Sequence, residues 1–262
     1  MWTEANKHFS MLIPELRTAA AEQLNLVRKN PSLLLIGFAF VANLILILIY
    51  PVAVIMHNLE WIRIDKVAFW QNFSVMTDGS VPEVAGYLQL AIASAIMATL
   101  ALKNRSKAYF AWVVILAYAI ADDSLRIHET AGAILARFFP GTWGMQGQYI
   151  GELIYFATAG AFLALLFAYS YAQSEWKHRA RSVLLLLPFG MLAFFAILFD
   201  YFRESIHGIS RVLDFSAGLI ENGSELLCMA MVMLLAIGLI IASNDERVRL
   251  TQAGGQIGAE KS

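Results

Sequence analysis

The sequence predicts an all-α fold: a six-span transmembrane helical bundle led by an N-terminal interfacial amphipathic helix, with both termini cytoplasmic. Three observations carry that expectation. Of 262 residues, 59% are hydrophobic and 15% charged, at a mean hydropathy of +0.61. A soluble chain carries about 45–50% apolar and about 25% charged residues. The apolar residues gather in six stretches on the scale of the roughly 20 helical residues that cross a hydrocarbon core. Lys and Arg alternate between abundance and scarcity from one connecting segment to the next. The net charge of −1 gives no field for a polyanion, which excludes nucleic acid as a partner. The lone Cys228 excludes a disulfide framework and any multi-cysteine metal site.

Residues 1–32 form the first unit. Phe9, Leu12, Ile13, Leu16, Ala20, Leu24 and Val27 recur at helical spacing among Lys7, Glu15, Arg17, Glu22, Arg28 and Lys29. That pattern suits a helix lying in the membrane interface. The following apolar run starts too late and is too long for a secretory signal. Residues 33–243 are the six-helix domain. Its spans read Leu33 to Met56, Val84 to Leu102, Tyr109 to Ala121, Tyr149 to Tyr171, Val183 to Phe202 and Leu219 to Ala242. The third is short, and its helix is expected to continue through Ile127 to Phe139. Pro51 and Pro188 fall inside spans as potential kinks. Residues 244–262 are polar and Gly-rich and read as a disordered cytoplasmic tail.

Basic residues set the orientation. Thirteen of nineteen lie in the N-terminal segment, the two loops after spans two and four, and the tail. The positive-inside rule places all four in the cytoplasm. The outer loops hold Trp61, Phe69, Trp70, Phe73 and Trp143, an interfacial aromatic belt.

With this topology nine carboxylates fall toward the outer ends of spans three to six: Asp122, Asp123, Glu129, Glu152, Asp200, Glu204, Asp214, Glu221 and Glu225. His128 and His207 join them. Asp122 with Arg126 and Asp200 with Arg203 read as helix salt bridges at three- or four-residue spacing. Glu152 and Glu221 lie near helix N-termini, where the dipole favours a carboxylate. Taken as a set, ionisable residues at membrane depth mark a functional site.

Glu204-Ser-Ile-His207 is an E-x-x-H, which sets a carboxylate and an imidazole on one helical face. Di-iron and di-manganese bundles use two such motifs and one Glu from each of two further helices. Glu152 with Glu221 or Glu225 supplies the single carboxylates, and His128 with Asp123 or Glu129 the second imidazole. Asp123 and His128 are five residues apart, so a break or bulge is needed to turn both inward. The candidate ligands are Asp123, His128, Glu129, Glu152, Glu204, His207, Glu221 and Glu225. Such N,O ligation suits one or two divalent ions of Fe, Zn or Mn.

Asp123-Ser-Leu-Arg-Ile-His128-Glu129 resembles the third-span ending L-D-E-x-x-x-I-H-E of a family of uncharacterised bacterial polytopic membrane proteins. Glu204 and the stretch Glu221-Asn222-Gly223-Ser224-Glu225-Leu226 are similar to the same family, whose version reads E-E-x-x-E-L-x-G. Asp122-Asp123 and Asn222 depart from that pattern. The resemblance covers the second half of the chain and implies an acidic and His site on the same helices, with no activity attached. It implies a place in a bacterial inner membrane.

Three functions fit. A metal-dependent membrane enzyme, oxidative or hydrolytic, would act on a membrane-phase substrate. A proton or divalent-cation transporter would use the acids as ligands, but needs polar side chains through the inner half of the bundle. A non-catalytic subunit would dock on membrane-protein partners or a second copy.

Overall fold

The computed structural model describes residues 32–139, 147–206 and 209–259, with single positions at 13–14, 16–18 and 21; side chains in the long segments are described for 37–139, 147–203 and 209–244. The expected amphipathic helix over 1–32 therefore lies almost wholly outside the described residues. Among those residues the regular structure is helical, without a strand.

The helices are α1 (Ser32–Asn58), α2 (Lys66–Phe73), α3 (Val81–Asn104), α4 (Lys107–Ser124), α5 (Ile127–Leu135), α6 (Gly147–Ala172), α7 (Trp176–Val183), α8 (Leu186–Ala193), a π-helical stretch Phe194–Phe199, α9 (Asp200–Ile206) and α10 (Arg211–Ala259). Five helical units are long and apolar enough to cross a membrane: Gly37–Asn58, Val81–Asn104, Gly147–Ala172, Trp176–Arg203 and Arg211–Asn244. A sixth crossing requires α4 and α5 together, which bend by 68° at their junction. The spans are numbered one to six in chain order, α7 to α9 forming span five.

Local chemistry explains the breaks. Span three does not continue straight, as the sequence reading expects. Arg126 sits in the left-handed region at φ 51° and ends the α4 ladder. Span five breaks at Leu184 and Leu185. Pro188 follows, with no N–H to offer and a ring that crowds the carbonyl four residues back, at Leu184. Pro51 leaves α1 uninterrupted. The backbone of α10 stays helical to Ala259, where composition suggested a disordered tail. A helix already nucleated within a span extends at little further cost.

Burial follows helical spacing. In α3, Leu90, Ala93, Met97 and Leu100 are 0–1% exposed and face α4 and α10. Trp112 and Leu116 of α4, and Val232 and Ala236 of α10, are fully buried against them. Apolar burial gives little drive between helices in lipid; close packing and interhelical hydrogen bonds do more. Gly86 lets α3 approach α10: a Cβ there would lie 2.6 Å from the Met229 sulfur. Gln89 Nε2 donates to Asn43 Oδ1 at 2.8 Å, tying span two to span one. Trp112 Nε1 donates to the Ser182 carbonyl at 3.0 Å, tying span three to α7. Thus one half of the bundle, from Met97 and Trp112 to Leu239, is close-packed. The other half, where α4 ends and α6 and α10 begin, carries the acids.

Candidate functional site

That other half contains a cavity of about 390 Å³. Its wall carries eight carboxylates, Asp78, Glu83, Asp122, Asp123, Glu129, Asp200, Glu221 and Glu225, together with Arg126, Arg203 and His128. Deeper, the lining becomes apolar, with Leu90, Leu163, Phe189 and Leu192.

The α4–α5 break builds one wall. By turning the chain at Leu125 and Arg126 it brings His128 back onto Asp122, with Nδ1 3.1 Å from Oδ2. Asp122 is 6% exposed and also accepts from the Tyr155 hydroxyl at 2.7 Å. Tyr118 in turn donates to Tyr155 at 2.8 Å. The His128 ring stacks on Phe156, with centroids 5.1 Å apart. Tyr118, Tyr155, Asp122 and His128 therefore form a continuous chain along spans three and four. The expected partnership was His128 with Asp123 or Glu129; the observed one is with Asp122. Asp123 instead faces Tyr87 of span two.

The break also overturns the Asp122–Arg126 salt bridge, since that pairing assumes a helix running through both residues. Arg126 pairs with Asp78, before α3. Arg203 likewise leaves Asp200 and reaches across to span six, with Nη1 3.2 Å from Glu221 Oε2 and Nε 3.5 Å from Asp214 Oδ1. Gly218 makes room for it: a Cβ there would lie 3.1 Å from the guanidinium carbon. Asp200 lies within hydrogen-bonding reach of Glu221.

Glu225 is one helical turn deeper on α10. Its nearest charged neighbours include Glu221, Asp123, Asp200 and Glu83, and no hydrogen-bond donor meets it among the described residues. It lines both the main cavity and a recess of about 80 Å³ shared with Thr77, Asp78, Glu83, Asp123 and Asn222. The Thr77 hydroxyl is buried there without a partner among the described residues.

Of the eight candidate ligands, the structure gathers Asp123, His128, Glu129, Glu221 and Glu225 around one cavity. Glu152 lines a neighbouring recess and accepts from Gln148 at 2.9 Å. The side chains of Glu204 and His207 lie outside the described residues. Among the described residues no group of three or more His, Cys, Asp or Glu side chains is placed to hold a metal ion. Glu221 pairs with Arg203 and Glu152 with Gln148.

Sequence reasoning missed Asp78 and Glu83, which bring span two into the site. Glu83 accepts from the Gly79 amide and the Tyr87 hydroxyl. The available signal was an acid in the first turn of span two, behind Ser80-Val81-Pro82. His57, at the end of α1, is occupied elsewhere: its Nδ1 accepts from the Ile64 amide at 3.2 Å and shapes the following loop.

A family described as a domain of unknown function, DUF8692, matches residues 33–239, from span one into span six. No curated protein and no solved structure matches the chain.

Proposed function

We propose that this chain, which belongs to the DUF8692 family, binds a cationic group at membrane depth and holds a base against it. The observation that carries this reading is the charge balance of the cavity: eight carboxylates against two guanidiniums. Both guanidiniums are already engaged by Asp78, Asp214 and Glu221. A carboxylate removed from water costs several kcal/mol unless it is protonated, hydrated or neutralised. A bound cation offsets part of the charge shared by Glu225, Asp123 and Glu83, and protonation or water must take up the rest. His128 adds reactivity. An acceptor at Nδ1 holds the proton on that nitrogen and leaves Nε2 as the base, the arrangement used for proton transfer to or from a bound substrate.

The test is calorimetric titration of the protein in nanodiscs with benzyltrimethylammonium, and with benzenesulfonate as the anionic counterpart. Saturable binding of the cation alone, weakened about tenfold or more (about 1.4 kcal/mol) in Asp123→Asn/Glu225→Gln, supports the reading. No saturable cation binding, or equal affinity in the double variant, overturns it.

A second reading is favoured by the Asp122–His128 contact. Metal-ligating histidines donate their other ring nitrogen to such a carboxylate, and Glu204-x-x-His207 follows on span five. Fe, Zn or Mn bound by His128 and His207 would then activate water or O2 for a membrane enzyme. Metal analysis after chelator-free purification decides it: stoichiometric metal in wild type, lost in His128→Ala and His207→Ala, supports a metal centre. A metal-free wild type removes it.

The distribution of Lys and Arg supports a bacterial inner-membrane orientation with both termini cytoplasmic and the cavity toward the outer leaflet. Cysteine labelling of the loops from each side tests that.

A further inference from the structure

The acids account for the mouth of the cavity and leave its apolar half unexplained. That half is walled by α6 on one side and by span five on the other, with Ala159, Gly160 and Leu163 opposite Ala193, Ala196 and Ile197. Neighbouring spans usually close such a wall by packing together. Here α6 packs on α4 and α5, and span five packs on α10 and, through α7, on α4, but among the described residues α6 and the 186–199 part of span five make no extended contact with each other. Four of these six residues are Ala or Gly, and Gly160 and Ala196 are exposed. A Cβ added at Gly160 meets nothing within 4 Å. A recess of about 20 Å³ between Leu153 and Tyr201 prolongs the gap toward the acidic end. Outside the gap, Phe162, Leu165 and Leu198 are 67%, 71% and 55% exposed, as lipid-facing side chains should be. The π-helical stretch Phe194–Phe199 forms the far edge and carries Ala196 and Ile197 into the wall.

We propose that the gap between α6 and the π-helical part of span five is a lateral portal to the bilayer. It holds the hydrocarbon chain of a membrane amphiphile whose cationic head lies among the carboxylates. The proposal rests on the cation reading for its head group, while the portal rests on the apolar wall alone. A polar mouth continuous with an apolar slot open to lipid matches an amphiphile at both ends. The cavity volume falls within the ~300–1,000 Å³ of small-molecule sites.

The test uses hexadecyltrimethylammonium carrying a diazirine at the chain end, in nanodiscs of phosphatidylglycerol, which brings no choline head of its own. After photolysis, labelled positions are mapped by mass spectrometry in wild type and in Gly160→Phe/Ala196→Phe, which fills the gap. The expected result is labelling at 159–163 and 193–197, reduced about tenfold (about 1.4 kcal/mol) in the filled variant. Gly160→Leu alone serves if the double variant loses its thermal transition. Labelling spread over lipid-facing positions such as Phe162 and Leu198, insensitive to filling, overturns the portal and leaves the cation reading standing. Loss of benzyltrimethylammonium binding in wild type with gap labelling intact overturns the head-group assignment and keeps the portal.

Discussion

Gly151 is where α6 is held against α5, and the contact fixes where His128 can be. A Cβ at Gly151 would lie 2.9 Å from the Gly132 Cα and 3.0 Å from the Leu135 Cβ. Carbon atoms prefer about 3.5–4.0 Å, so Gly151→Ala must push the two helices apart by about 0.6–1 Å. The obstacle is backbone, which has no rotamer to change. Overpacking of this kind costs about 1–3 kcal/mol. Against that, Gly→Ala inside a helix gains about 0.8–1.0 kcal/mol of intrinsic propensity. Gly160→Ala on the same helix carries the propensity gain without the clash, since nothing lies within 4 Å. The difference between the two variants therefore isolates the packing cost. At about 2–4 °C per kcal/mol for a chain of this size, Gly151→Ala should melt roughly 2–12 °C below Gly160→Ala. The assay is scanning fluorimetry in one detergent for both proteins. Because His128 moves with α5, Gly151→Ala should also lower benzyltrimethylammonium affinity. Equal melting temperatures for the two variants would refute the claim that α5 and α6 meet backbone to backbone.

Three further outcomes follow from single contacts. Arg203→Met leaves Glu221 and Asp214 without their guanidinium and should cost about 2–3 kcal/mol; adding Glu221→Gln should recover much of it in a double-mutant cycle read by thermal melting. Trp112→Phe removes the donor to the buried Ser182 carbonyl, and the same measurement should show a loss of about 1–3 kcal/mol. Cys228 is 2% exposed, so maleimide should label the native protein slowly and the denatured protein to completion, as counted by intact mass.

Five spans were legible because each is a long apolar stretch whose meaning depends on bilayer thickness, whereas the third crossing rests on a pair of helices bent by 68°. The pairings inside the site were not, because they depend on one backbone conformation. Asp122 and Arg126 are four residues apart, which means a salt bridge only while the helix continues. Arg126 leaves the helix at φ 51°, so Asp122 receives His128 instead and Arg126 turns to Asp78. The odd spacing between Asp123 and His128 did signal a break, though not which acid would profit from it. Asp78 and Glu83 were missed for a different reason: nothing in one sequence says that the start of span two stands beside the end of span three. The π-helical stretch left no trace either, since Phe194-Phe195-Ala196-Ile197-Leu198-Phe199 reads as an ordinary apolar span.

The division of the bundle bears on what the cavity can do. A conduit needs polar groups or water on both sides of its binding site. Beyond Leu90 and Leu192, at the floor of the cavity, Met97, Leu100, Trp112 and Leu116 are at most 1% exposed, and Leu239 is 2% exposed. Two polar groups in that half are held across helices: Trp112 Nε1 by the Ser182 carbonyl, and the Ala108 amide by the Ser174 hydroxyl at 2.8 Å. Passage of an ion would have to part faces whose contacts are made atom by atom at near-crystalline density, and strand those polar groups in lipid. The hydrogen-bonded chain from His128 leads to Tyr118 and stops against the same apolar block. With the base and portal proposed above, a cavity floored by this apolar block fits capture and proton transfer better than transport.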